Sequence, residues 1–221
     1  MKTFRNLALN FGARAVRALG HRQYLRLLMT MVGSPRGVLR TRDLREVDRR
    51  MGTRPVSVRF RGRRFIIDCP TVDSIIRDGT FTFGLIRELF IRNCYIRERV
   101  APVLDSAQYV LDLGANRGVF SVMAAIRSKL VVAVEVLPLM AEAIRSNMAA
   151  NGLDNIVIES AFVGEGGADE PYAASTTTVN DIMASHNVPR FDLVKIDIEG
   201  SEFGLFADRS WLRRGMVRER N

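Results

Sequence analysis

The run from Val110 to Gly118, VLDLGANRG, sets an acidic residue, Asp112, near the end of an apolar stretch, with glycines at 114 and 118 just before a helical pattern. Glycine tolerates positive φ and lets a backbone approach a ligand with no Cβ in the way. Glu135 closes a second apolar stretch 21 residues after Gly114. From that spacing a carboxylate can accept hydrogen bonds from both hydroxyls of a ribose. A dinucleotide site would read G-x-G-x-x-G and meet a pyrophosphate at the helix N-terminus. Here the loop is Gly114, Ala115, Asn116, Arg117, Gly118, and Asp112 stands two residues ahead of it. A carboxylate at that point repels phosphate and suits a positively charged nucleoside. S-adenosylmethionine, with its ammonium and sulfonium, has that character. The alternative for Asp112 and Glu135 is a structural role as caps at two strand ends.

A second group lies in the run VKIDIEG, where Lys195, Asp197 and Glu199 alternate. On an extended strand they share one face, with the carboxylates emerging at its C-terminal end. An alcohol becomes a good nucleophile as its proton leaves, and Asp197 is the expected base or cofactor ligand, with Glu199 the second candidate. Lys195 is expected to hold that carboxylate ionised or to stabilise a developing alkoxide. The competing reading is a Lys195–Glu199 ion pair that only neutralises the strand end. His186 is a further base candidate by residue type, but its surroundings, ASHNVP, read as a surface loop. His21 sits in a basic run at a helix boundary, where solvation is expected. No clear metal-ligand triad is present.

The elements that must position these residues follow from periodicity. After Pro102 strands and helices alternate: strands at 109–113, 130–135, 155–159 and 191–196, and helices at 118–128, 139–151 and 178–185. Such alternation requires crossovers and predicts a mainly parallel sheet. Before it, Thr3 to Leu19 reads as an amphipathic basic helix stopped by Gly20, and Gln23 to Val32 as a second helix ending at Gly33-Ser34-Pro35. An arginine-rich connector then reaches Pro55. Val56 to Phe60 and Arg64 to Asp68, separated by Arg61, Gly62 and Arg63, predict a hairpin, and Phe83 to Val100 a helix. The domain reading is a basic helical extension over 1–54, a hairpin and helix over 55–100, and a nucleoside-binding domain over 101–221.

The formal charge of +9 is unevenly distributed: residues 1–50 hold 12 basic and 3 acidic side chains, residues 151–200 hold 2 and 9. A basic surface attracts nucleic acid, anionic lipid or an acidic partner alike. Its aromatic residues are not interleaved with arginines as stacking platforms require, so nucleic-acid binding is not expected. Peripheral membrane contact through the basic N-terminal helix is the alternative to packing on the protein itself. Cys69 and Cys94 are too few for a disulfide framework and are expected to be small buried hydrophobes in a cytoplasmic protein. No run approaches the roughly 20 apolar residues of a membrane span.

The blocks Asp112 to Ser121 (DLGANRGVFS), Val134 to Pro138 (VEVLP), Asn147 to Asn151, Thr178 to Ile182 (TVNDI) and Val194 to Glu202 (VKIDIEGSE) together resemble those of FkbM-type methyltransferases, over about residues 85–205. KIDIEGSE is the most specific of them. The resemblance implies a class I methyltransferase fold, an α/β Rossmann-like mainly parallel sheet. It also implies S-adenosylmethionine as donor and O-methylation of a hydroxyl on a sugar, glycan or secondary metabolite. By position it places Asp112 and Gly114 at the methionine end of the cofactor, Asn116 and Gly118 in the loop beneath it, and Glu135 on the ribose. Ser160 and Ala161, following Glu159 after the third strand, fall near the adenine. The family's sheet has seven strands, whereas little chain follows Glu202, so the domain reads as truncated at its C-terminus with an open sheet edge. Two other readings stay open: a non-catalytic cofactor-binding protein, favoured by that short end, and a nicotinamide-type oxidoreductase, disfavoured by the loop spacing.

Overall fold

The structure, a computed structural model, describes residues 2–34, 43–96, 100–163, 175–198, 205–206 and 210–215. Contacts gather the chain into two units, Met1–Val100 with Arg145–Gly152, and Ala101–Ile144 with Leu153–Asn221.

In the first unit, α1 (Lys2–Val32) is helical throughout except at Gly20, where φ is 73° and ψ is 165°. An L-residue is strained there, so the predicted stop takes the form of a kink between two helical halves. α2 (Arg45–Met51) occupies part of the stretch predicted as a connector. Its buried Val47 and Met51 lie one helical turn apart, and Glu46 pairs with Arg49 and Arg50, which hold its carboxyl down at about 2. β1 (Val56–Phe60) and β2 (Arg63–Ile67) form the hairpin, with Phe60 opposite Arg63. Its turn has two residues rather than the predicted three. Arg61 (φ 46°) and Gly62 (φ 78°) are both left-handed, which matches the twist of the paired strands.

β2 gains its outer partner from side chains. The Asp68 amide donates to Asn147 Oδ1 at 2.9 Å, the Ile66 amide donates to Asn151 Oδ1 at 2.7 Å, and Asn151 Nδ2 donates back to the Ile66 carbonyl at 2.6 Å. α3 (Cys69–Ile75) follows, capped by Asp68. α4 (Thr82–Ile86) then runs into a π-helical turn, Arg87–Arg92, that Asn93 closes in the left-handed conformation. The helix predicted to reach Val100 therefore stops eight residues early, at Arg92, and Val100 opens α5 (Val100–Ser106). Cys69 is buried as predicted, but Cys94, just beyond that left-handed closure, is exposed. Asp48 and Arg87 form a buried bidentate pair at 3.1 and 2.9 Å, and burial pushes the Asp48 carboxyl above its ordinary range.

The second unit is a parallel α/β layer. β3 (Tyr109–Leu113), β4 (Leu130–Val134), β5 (Ile156–Glu159) and β8 (Leu193–Ile196) are all parallel neighbours in the order β5-β4-β3-β8. The central strands YVLDL and LVVAV are nearly continuous apolar runs, as strands covered on both faces must be. α6 (Val119–Ala125) and α7 (Pro138–Ala149) connect them. A short parallel pair, β6 (Ala161–Val163) and β7 (Ser175–Thr177), was not legible in the sequence. α8 (Val179–Ser185) starts from a Thr178–Asp181 capping box, and α9 (Ser210–Gly215) sets Trp211 in a core with Leu111, Leu113, Val179, Ile182 and Leu205. From β3 the chain moves outward to β4 and β5, then returns to place β8 on β3's other side. That reversal is a topological switch point, and in open α/β sheets ligands bind outside the strand carboxyl ends there.

Candidate functional site

The carboxyl ends of β3 and β8 meet at that switch point. Asp112 and Lys195 are register partners in the parallel ladder, so their side chains leave the sheet on the same side. Asp112 is fully buried, with Lys195 Nζ 3.0 Å from its Oδ1 and the Ser121 hydroxyl donating to its Oδ2 at 2.5 Å. The same ammonium donates to the Gly114 carbonyl at 2.6 Å and to the Leu113 carbonyl at 3.5 Å, while Asp197 Oδ2 lies 3.8 Å away. Lys195 thus ties the glycine turn to the buried carboxylate of β3. Ser121, within a motif block but with no role read from the sequence, completes the network from the first turn of α6.

Gly114 and Gly118 are required by the protein's own packing. A Cβ on Gly114, at φ 70°, would stand 1.9 Å from the Asp197 carbonyl oxygen, and one on Gly118, at φ 71°, would meet Ile144 at 2.9 Å. Asn116 is left-handed too, at φ 51°. The loop folds over the end of β4. Gly114 and Ala115 both donate to the Val134 carbonyl at 3.0 Å, Asn116 donates to Glu135 Oε2 at 2.8 Å, Arg117 donates to Asn116 Oδ1 at 2.8 Å, and Gly118 donates to the Ala115 carbonyl at 2.9 Å. Five consecutive backbone donors are therefore satisfied internally. Glu135 also accepts from the Leu137 amide at 3.0 Å, so each of its oxygens holds one backbone bond and keeps a second lone pair. Burial raises its pKa above the ordinary carboxyl range; the two amide bonds oppose this. The Arg117 side chain is buried and donates to Asn116 Oδ1 at 3.3 Å, so the loop does not present this cation to solvent.

β8 ends at Ile196, the predicted end of the strand, so of the alternating Lys195, Asp197 and Glu199 it carries Lys195. Asp197 lies just past it, its side chain 48% exposed and its amide donating to the Leu113 carbonyl at 3.1 Å. Glu199 lies outside the described residues. Ser160 is exposed beyond β5, and Ala161 is buried as the first residue of β6. His186, read from sequence as a surface-loop residue, is instead mostly buried, with Nε2 2.6 Å from Glu159 Oε1 at the end of β5. The two are 27 residues apart in the chain, and only the packing of α8 brings them together. His21 is exposed, as its sequence context predicted.

Residues 112–218 match the sequence profile of the methyltransferase FkbM domain. Among solved structures, the chain is similar to a precorrin-6y C5,15-methyltransferase from Geobacter metallireducens GS-15, at 20% identity and a TM-score of 0.37, over 56% of this chain and 59% of that one. No curated protein matches. The profile match starts at Asp112 of the buried pair and extends past β8 and α9, so it contains every site residue described above. Over that stretch, a little under half of its length, the chain is similar to the methyltransferase FkbM domain.

Proposed function

We propose that the chain is an S-adenosylmethionine-dependent methyltransferase that methylates a hydroxyl of a sugar, glycan or other secondary metabolite. The observation that carries this reading is the polarity of the glycine loop. Residues 114–118 direct their five amide donors inward, and at the end of β4 the loop is backed by a carboxylate with free lone pairs. A ligand seated there must bring donors, as the two hydroxyls of a ribose do. A pyrophosphate laid against this loop would find its amides already bonded and would face the Glu135 carboxylate, which speaks against the nicotinamide reading.

The residues fit the cofactor in that respect, with Glu135 for its ribose, Gly114 and Asn116 along the loop, and Ser160 and Ala161 towards its adenine. The cofactor supplies an electrophilic methyl group. In this reading Asp112 acts on it through Lys195, which holds the Gly114 carbonyl and fixes the loop. Asp197, half-exposed beside that ammonium, is the group placed to take the acceptor's proton, a contribution typically of ~10²–10⁴ in rate, with Glu199 as the other candidate. Transfer itself needs mainly alignment of acceptor, methyl and sulfur.

Calorimetric titration with S-adenosylhomocysteine tests the reading. The wild type binds, and Glu135→Ala loses about 1–3 kcal/mol of affinity with the ribose hydrogen bonds. Binding of NADH with no response to S-adenosylhomocysteine would overturn it.

A further inference from the structure

Independently of the catalytic reading, we infer that the second half of α1 is a docking face for an anionic lipid surface. The helix presents Leu25, Leu28, Met29 and Val32 to solvent, with exposures of 60%, 39%, 67% and 76%. Their spacing of three, four and seven residues puts them in one stripe. Large apolar side chains at this spacing normally face a core, and here the opposite side of the helix already does so. Leu27 is buried, the Gln23 amide donates to the Ser57 carbonyl at 2.8 Å, and the Arg26 guanidinium reaches the Arg50 carbonyl and the Thr53 hydroxyl at 2.6 and 2.8 Å. The helix is anchored through one face, and a second apolar face points outward.

Charge selects the occupant. Residues 1–42 contain nine lysines and arginines and no aspartate or glutamate. Arg14, Arg17 and Arg22, on the turns preceding the stripe, are exposed. An interfacial helix needs an apolar face to enter the acyl boundary and cations to meet the headgroups, and lipid charge attracts a polybasic segment without any shaped counterpart. The stripe contains no tryptophan or tyrosine of the kind that anchors protein–protein interfaces. The contact lies on the membrane surface, since among the described residues no helix is long and apolar enough to cross one. The notable difference from the sequence expectation is place: the outward apolar stripe follows Gly20, whereas the helix predicted to touch the membrane precedes it.

The test is flotation of the full chain with phosphatidylcholine vesicles carrying about 30% phosphatidylserine. The expected result is partition with these vesicles, reduced at least about tenfold on pure phosphatidylcholine or in about 0.5 M NaCl. Leu25→Asp with Met29→Asp is expected to lower partition by a further factor of ten or more, and Val32→Asp alone by several-fold. Leu25→Gln with Met29→Gln is the milder second pair. All of these side chains are mostly exposed, so circular dichroism of the variants should match the wild type. Wild-type protein that stays with the solvent, or a double variant that floats like the wild type, overturns the inference. So does a solution dimer, seen by light scattering, that Leu25→Asp dissolves, because a second copy would then cover the stripe.

Discussion

Replacing Lys195 by methionine removes the cation and keeps most of the side-chain volume. At 3.0 Å from Asp112 Oδ1, the ammonium contributes roughly 5.5 kcal/mol of Coulomb attraction at an effective dielectric of about 20, before the cost of desolvating it. Breaking one side of a buried pair typically costs about 3–5 kcal/mol, because the remaining charge is left uncompensated. The Gly114 carbonyl loses its 2.6 Å donor as well, which puts Lys195→Met at about 3–4 kcal/mol at neutral pH. The chain's single tryptophan, Trp211, lies in the core of the second unit and reports urea unfolding there. Asp112→Asn alone and together with Lys195→Met closes a double-mutant cycle, with an expected coupling of about 2–3 kcal/mol. A loss below about 1 kcal/mol, additive with Asp112→Asn, would refute the argument. It would return Lys195 to the purely catalytic role its position in the strand first suggested.

Three further outcomes are expected. Gly114→Ala places a Cβ 1.9 Å from a backbone oxygen at positive φ, and should cost more than the roughly 1–2 kcal/mol of left-handed strain alone; thermal unfolding measures it. Arg87→Met strands Asp48 in the first unit and should lower stability by about 3–5 kcal/mol, with much of the loss recovered by adding Asp48→Asn, as chemical denaturation can show. Because the Glu135 carboxyl is raised above its ordinary 4.5, its stabilising contribution is complete below that value and lost as pH rises through the folded-state value. Glu135→Gln lacks this titration, so the stability difference between variant and wild type should move in the variant's favour between about pH 4 and 7, as urea unfolding at the two pH values can show.

Much of the second unit was legible because its signals are local. The apolar runs of β3 and β4, the glycines of the loop between β3 and α6, and the acid closing the next strand each reflect a constraint within a few residues. The parallel sheet and its strand bounds followed from them to within a residue or two. The kink at Gly20 and the hairpin were readable for the same reason, since glycine marks where φ must be positive. What the tertiary structure decided is which group meets which. Lys195 was assigned to neighbours two and four residues along its own strand, and Asp197 Oδ2 does lie 3.8 Å from it, but ladder register adds the closer Asp112, 83 positions earlier, and the Gly114 carbonyl. His186 found Glu159 through the packing of α8, and Asn147 and Asn151 complete a strand edge that belongs to the hairpin. Periodicity along a chain reports which face a side chain occupies. The partner on that face depends on sheet order and register, which arise from long-range pairing and leave no fixed spacing in the sequence.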